Sequence, residues 1–426
     1  MAAASVPPAP TVAERLRVIE DEGLTRRMRL IESAQGPSVE IDGKRVLLLC
    51  SNDYLGLAAH PTVAAAAMDA VERWGTGAGS SRLVSGNMEP HERLERRLAA
   101  FHGTESALLF GSGYLANTGI VASIARRGDV VFSDALNHAS IIDGCRLAGA
   151  HTFVYRHRDL EHLAWALARL PGHASLIVTD GLFSMDGDVA QVGHLSALAR
   201  TYGAKLMVDD AHAVGVLGPG GRGTVAEAGL AGEVDVIVGT LGKSLASYGA
   251  YACLGKELRE LLVNTARTLI FSTGLPPMCA AAAEAALGVI EAEPERVGRV
   301  RANASILRAM LTRSGLRTGG GGTQIIPIPV GDPDRAVAAC RRALDRGVYA
   351  QAIRPPTVPD GTSRLRLSVM ATHEPDDLRS AAATIAAAVR SVAASGDWSI
   401  DLPEPEPGEL RLRRLTPQPV RVAPGA

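Results

Sequence analysis

A lysine, a carboxylate and an imidazole that each follow an apolar run could together do chemistry on an amine. The stretch KLMVDDAHAVG puts Asp209, Asp210 and His212 just past such a run. A carboxylate there is costly unless it pairs with a cation or receives hydrogen bonds. Two aspartates could meet that need by capping a helix or closing a turn; alternatively, Asp209 faces a protonated ring nitrogen of a ligand, with His212 close by. The next apolar run, VDVIVGTLGKS, ends in Thr240, Leu241, Gly242 and Lys243. A lysine at the mouth of a buried strand end can lose its proton through desolvation and become a nucleophile able to form a Schiff base. A surface lysine would read the same way in isolation. Thr240 and Ser244 add hydroxyls that can donate to a phosphate.

Three further run ends add to the set. SALLFGSGYLANTG passes from an apolar stretch through Gly111, Ser112 and Gly113 into a predicted helix, and free N–H groups in such a turn suit phosphate. The segment lacks the lysine of a P-loop and the full spacing of a dinucleotide fingerprint, which speaks against an NTPase and against a dehydrogenase. DALNHAS carries Asn137 and His138, and TDGLFSMDGD carries Asp180, Ser184 and Asp186. Each residue alone fits ordinary structural duty. Together they match what pyridoxal phosphate requires: a Schiff-base lysine, an acidic partner for the pyridinium nitrogen, a flat group against the ring and a phosphate cup.

The elements that must position these residues follow from periodicity. Residues 11–33 read as a charged helix, and GPSVEIDGKRVLLLC as two short strands around an Asp42-Gly43 turn. Residues 51–273 alternate apolar runs (SALLF, DVVFS, SLIVTD, KLMVDD, VDVIVGT) with helical segments such as HERLERRLAAF, the pattern of a largely parallel sheet covered on both faces. In such sheets ligands sit beyond the carboxyl ends of the strands. After Pro276-Pro277 the pattern is helical to about Ser314. A strand at TQIIPIPV, a helix from Asp332 to about Arg346, a strand at LRLSVM and a helix from Glu374 to about Ala394 then predict a smaller α+β domain. The expected organisation is an N-terminal arm (1–45), a large α/β domain (46–275), a small C-terminal α+β domain (276–395) and a Pro-rich, disordered tail (396–426).

Composition narrows the partners. With 44 basic and 45 acidic residues in 426, there is no global field to draw in nucleic acid or an anionic membrane, so any anionic ligand must be held locally. Five scattered cysteines show no zinc or disulfide spacing, and neither a signal peptide nor a transmembrane run is evident, so a cytoplasmic enzyme with free thiols is expected.

The ordered motifs SNDYLGL, GSGYLAN, DALNHAS, GLFSMDGD, VDDAHAVGVLG, GTLGKS and FSTGLPP resemble those of the α-oxoamine synthases over residues 12–394. Members of that family join an amino acid to an acyl thioester with loss of carbon dioxide. The resemblance implies a fold-type I, aspartate aminotransferase-like α/β fold with pyridoxal 5'-phosphate as cofactor. It implies that Lys243 holds the cofactor and acts as the base, that Asp209 pairs with the pyridinium nitrogen and that His138 stacks on the ring. It further implies that His212 and Ser184 contact the phenolic-oxygen region, Gly113 and Tyr114 the cofactor, and Thr240 its phosphate, with Ser272 and Thr273 supplied by the other subunit of a homodimer with shared active sites. Asn52 and Arg366, together with His138, would meet the amino acid, and Thr357 and Arg26 the rest of the substrate; Arg27 and Arg29 in LTRRMRL are alternatives to Arg26. QAIRPPTVPDGTSRLRLSVMATH is most similar to members that use L-alanine and a pimeloyl thioester, on CoA or on a carrier protein. A related condensation, such as glycine with acetyl-CoA, is the alternative within the family.

Overall fold

The computed structural model describes residues 10–170 and 175–392. The expected disordered tail at 396–426, and the last residues of the helix expected to reach Ala394, lie outside the described residues.

The first helix spans Val12–Asp21 and begins with a capping box in which Thr11 and Glu14 exchange hydrogen bonds. It stops well short of residue 33. Gly23 takes a φ of +65°, and the N–H groups of Gly23 and Leu24 donate back to Glu20 and Ile19, closing the helix. None of its residues is buried, so no packing draws the helix further along. The predicted hairpin follows as β1 (Ser38–Ile41) and β2 (Lys44–Leu48), antiparallel, with Asp42 and Gly43 both at positive φ, as a tight two-residue turn demands.

The central sheet holds β3 (Ser106–Phe110), β4 (Val130–Asp134), β5 (His151–Tyr155), β6 (Ser175–Asp180), β7 (Lys205–Asp209), β8 (Val236–Thr240) and β9 (Ala250–Leu254), in the order β3-β9-β8-β7-β6-β4-β5. Every pairing is parallel except those of β9, which runs antiparallel to both neighbours. Successive residues of one strand enter different cores: Leu206 and Val208 one, Met207 the other; Ile237 one, Val236 and Val238 the other. That two-sided burial is why these strands read as unbroken apolar runs, each large side chain adding about 1.5–3 kcal/mol. Two strands of this sheet, like the short strands Val348–Tyr349 and Gln351–Ile353 further on, give no clear signal in the sequence. β5 is an edge strand with a half-exposed, histidine-led sequence, and β9 is a short Ala-Tyr-Ala-Cys-Leu segment whose small residues give no strand signal.

Beyond the sheet, the helices Pro277–Ala292 and Glu295–Arg313 are broken at Pro294. Then come β10 (Ile325–Gly331), the helix Pro333–Leu344, β11 (Val348–Tyr349), β12 (Gln351–Ile353), β13 (Ser363–Ser368) and the helix Pro375–Arg390. β10, β13 and β12 form an antiparallel sheet, while β11 pairs in parallel with β2, so the N-terminal hairpin and the C-terminal segment share a sheet. All five cysteines are free, and no helix among the described residues is long and apolar enough to cross a membrane.

One buried group makes stability depend on pH. His102 ends the helix Glu89–His102, with its Nε2 2.9 Å from the Tyr251 hydroxyl. Burial, helped by the Arg222 charge, pushes it from the usual 6.5 down to about 3. A depressed histidine binds fewer protons folded than unfolded, so its contribution is present above pH 6.5 and is lost as pH falls towards 3. The melting temperature should fall as pH drops below 6.5, and His102→Gln should flatten that fall; equal slopes for the two proteins would refute this.

Candidate active site

The site residues are carried by the carboxyl ends of the parallel strands. Asp209 is the last residue of β7 and is buried. Its Oδ2 accepts from Asn117 Nδ2 at 2.6 Å and its Oδ1 from the Ala211 N–H at 2.9 Å, which satisfies the carboxylate in place. Asp210 turns the other way: it is fully buried and accepts from the Thr224 hydroxyl and N–H at 2.5 and 2.8 Å. The two aspartates thus separate, Asp210 bracing the following loop and Asp209 left towards the strand ends.

Lys243 lies three residues past β8. The chain around it folds back from Thr240 to Gly249: Leu241 N–H donates to Gly249 O and Ser247 N–H to Leu241 O, while the Ser244 hydroxyl reaches Val214 O at 2.6 Å. Desolvation first, with the Arg366 charge, lowers the Lys243 amine from 10.5 to about 8 against the opposing pull of Asp209 and Asp180. Asp180 pairs with Asp209 in register across β6 and β7; burial and then the Asp209 charge push its carboxyl well above the usual range.

His138, the N-cap of the helix Ala139–Ala148, exposes its ring while Nδ1 lies 2.7 Å from the Ser140 hydroxyl. Gly113 opens the helix Gly113–Ile124 behind the Ser112 cap, and a Cβ there would meet nothing within 4 Å. As first-turn residues, Gly113 and Tyr114 have N–H groups with no carbonyl to bond inside the helix. The Tyr114 hydroxyl is tied to Asp143. Thr240 receives the Gly242 N–H at 3.1 Å.

Facing these strand ends, Arg366 on β13 is buried; its Nε donates to Ser184 O at 2.5 Å and its Nη2 to Asn52 Oδ1 and the Tyr54 hydroxyl, both at 3.3 Å. That hydroxyl also lies 2.7 Å from His212 Nδ1. Burial, with the charges of Lys243 and Arg366, drives His212 well below the ordinary range, so its ring is neutral.

The fold therefore gathers Lys243, Asp209, His212, Asn52, Ser184 and Arg366 into a coupled cluster beside His138, Gly113 and Thr240. Other expected residues lie apart. Arg26 and Thr357 are exposed, and among the described residues no hydrogen bond joins either to the cluster. They are neighbours of one another through Arg354, which donates to Gly23 O and Thr25 O and whose carbonyl receives the Thr357 N–H. Arg29 stacks over the Tyr349 ring at 5.6 Å. Ser272 and Thr273 sit where Thr273 pairs with Ser81 in an isolated bridge. Two residues of the cluster were not singled out from the sequence. Tyr54 lies in the quoted SNDYLGL, and Asn117 is a polar residue in the interior of an apolar helix, which was the available signal.

These groups fit pyridoxal phosphate. They offer a partly deprotonated amine, a braced carboxylate, an exposed flat ring and an open helix N-terminus. The Oδ1 of Asn117 is, in addition, a buried acceptor without a partner within the protein.

Comparison with known proteins agrees. A family model described as "Aminotransferase class I and II" matches residues 44–385. The chain is 51% identical over 379 residues to the 8-amino-7-oxononanoate synthase of Geobacter sulfurreducens, covering 88% of this chain and 97% of that one. It is 52% identical over 378 residues to the synthase of the same name from Citrifermentans bemidjiense, again covering 88% and 97%. Among solved structures, a serine palmitoyltransferase from S. paucimobilis with a bound PLP–myriocin aldimine is similar at a TM-score of 0.85 and 35% identity, covering 89% of this chain and 97% of that one. The 8-amino-7-oxononanoate synthase of Francisella tularensis is similar at a TM-score of 0.70 and 26% identity, covering 81% and 98%. The chain belongs to the class I and II aminotransferase family of fold-type I pyridoxal-phosphate enzymes, in its α-oxoamine synthase branch.

Proposed function

We propose that the chain condenses L-alanine with a pimeloyl thioester, with loss of carbon dioxide and release of the thiol, to give 8-amino-7-oxononanoate, acting as a cytoplasmic homodimer with shared active sites. The observation that carries this is the buried Arg366, fixed by Asn52, Tyr54 and Ser184 opposite the strand ends that bear Lys243 and Asp209. A guanidinium held in this way suits the planar carboxylate of an amino acid. Synthases of this name about half identical to the chain support the choice of substrates.

Bound pyridoxal phosphate supplies a ring that accepts the electrons released at the amino-acid Cα. Lys243 is the point of attachment and then the base for the Cα proton; an amine titrating near 8 is partly neutral at physiological pH, as a general base must be. Asp209, braced by Asn117, holds the proton on the ring nitrogen. His138 would cover one face of the ring and limit water at the reacting carbon. Gly113, Tyr114 and Thr240 hold the phosphate, with Ser272 and Thr273 from a second copy. His212 and Ser184 would contact the cofactor in its phenolic-oxygen region. Asn52 and Arg366 orient the alanine carboxylate, and Thr357 and Arg26 meet the acyl substrate.

The test is a substrate matrix of L-alanine, glycine and L-serine against pimeloyl-CoA, a pimeloyl carrier protein, acetyl-CoA and palmitoyl-CoA. Alanine with a pimeloyl thioester should exceed the other amino acids in kcat/KM by roughly 10- to 100-fold, the range that one methyl group decides in a fitted pocket. Glycine with acetyl-CoA outpacing it would overturn the assignment.

A further inference from the structure

His157, two residues past β5, lies outside the cluster described above, yet it joins two of the loops that build it. Its Nδ1 is 2.8 Å from Asp134 Oδ1 at the end of β4, and its Nε2 is 2.7 Å from Asp188 Oδ2 in the loop after β6. A neutral imidazole has one N–H, whereas carboxylates at both nitrogens require two donors, so the geometry calls for an imidazolium. The ring also stands edge-on to Phe183, with centroids 4.5 Å apart.

Both partners lead towards the site. Asp134 accepts the N–H groups of Leu136 and Arg158 and so closes the turn that runs into His138. Asp188 belongs to the loop 181–189, closed on itself by Phe183 N–H to Asp188 O at 3.0 Å and Ala190 N–H to Gly181 O at 2.9 Å. The same loop presents Ser184 O to Arg366 and the Asp186 carboxylate to Arg364.

We propose that His157 is a positioning residue for amino-acid binding: clamped between Asp134 and Asp188, it ties the loop 181–189 to the strand end that carries His138 and thereby sets the orientation of Arg366. This rests on Arg366 being the carboxylate anchor of the amino acid. The charged and titratable groups facing the clamp are Asp134, Asp188 and Arg158, the last 3.5 Å from Asp188, and the Asp134 charge is also felt by Tyr155 and Asp180. Burial alone would lower the His157 pKa, but the two carboxylates overcome it and raise it to about 9. A raised histidine stabilises fully below 6.5, its ordinary value, and loses that contribution as pH rises through about 9. The clamp should therefore hold at neutral pH and slacken in alkali.

The test compares wild-type and His157→Gln holoenzymes by titrating L-alanine against the absorbance of the bound cofactor from pH 7 to 10.5, with melting temperatures taken alongside. The ratio of the two dissociation constants cancels the titration of alanine's amine and of Lys243. It should be roughly ten at pH 7.5, within the 100-fold that a 1 Å misplacement can cost, and fall towards one above about pH 9.5. A purely structural role would give a ratio independent of pH. A ratio near one at pH 7.5, or one that does not change with pH, overturns the proposal. If His157→Gln yields no folded holoenzyme, Asp188→Asn is read by the same criterion. If alanine is not the substrate, the wild type shows no alanine-dependent spectral change at any pH, while the melting-temperature difference between the two proteins still closes above pH 9 if the clamp exists and stays constant if it does not.

Discussion

Lys243→Ala should lower turnover by at least about 10⁴-fold, the upper range of a single acid–base group, because it removes both the attachment point and the base. Lys243→Arg should be equally inactive despite keeping the positive charge, since a guanidinium stays protonated and cannot take up the Cα proton. The loss would be chemical rather than structural. The loop around Lys243 is held by the main chain of Leu241, Ser247 and Gly249 and by the Ser244 hydroxyl, so both variants should melt close to the wild type. Borohydride reduction followed by peptide mapping checks the same point, with the label expected on Lys243; label on another lysine, or substantial turnover in either variant, would sink the assignment.

Asp209→Asn should keep the cofactor and lose turnover by roughly 10³-fold. A unit charge about 4 Å from a protonated nitrogen at an effective dielectric near 20 is worth about 4 kcal/mol, which converts to three orders of magnitude. The asparagine carbonyl can replace only one of the two carboxylate acceptors, that for Asn117 Nδ2 or that for the Ala211 N–H, so the melting temperature is taken alongside to separate the lost bond from the lost charge. Cofactor content from absorbance and kcat from product formation separate the two effects; near-normal turnover at full cofactor content would refute the electrostatic role.

Much of this was legible in the sequence, for one physical reason. A parallel sheet covered on both faces leaves its strands as apolar runs, and polar residues following such runs stand where ligands bind. Lys243, Asp209, His138 and Ser184 stand out in the sequence that way. The separate duty of Asp210 is not legible in the sequence, because neighbouring residues at a strand end point in different directions, and only its bonds to Thr224, against those of Asp209 to Asn117, show it bracing the next loop. Tyr54 and Asn117 carry no run of their own; their importance comes from meeting His212, Arg366 and Asp209 across long sequence separations. β9 escaped notice because alanines and a cysteine look like helix or loop, and it becomes a strand only between β3 and β8. The sequence suggests too long a first helix because charged, periodic residues continue past Gly23, where the backbone turns away.

The reversed direction of β9 has a consequence for how the protein can vary. Because β9 returns antiparallel to β8, Lys243 sits on a hairpin connection with both feet in the sheet, rather than on a strand-to-helix loop with one. Most of its ties are main-chain ones: Leu241 to Gly249, Ser247 to Leu241 and Ala246 to Lys243. The exposed Tyr248 side chain can therefore drift in identity with little displacement of the lysine, whereas the buried Leu245 and the Ser244 and Ser247 hydroxyls, bonded to Val214 O and Cys279 O, are held; Ala246 keeps a φ of +51°, where glycine would be easier. Insertions are another matter: a residue added between Leu241 and Ser247 would disrupt the Ser247 N–H to Leu241 O and Ala246 N–H to Lys243 O bonds and displace the amine. Natural variation in this segment should thus run through substitution at constant length.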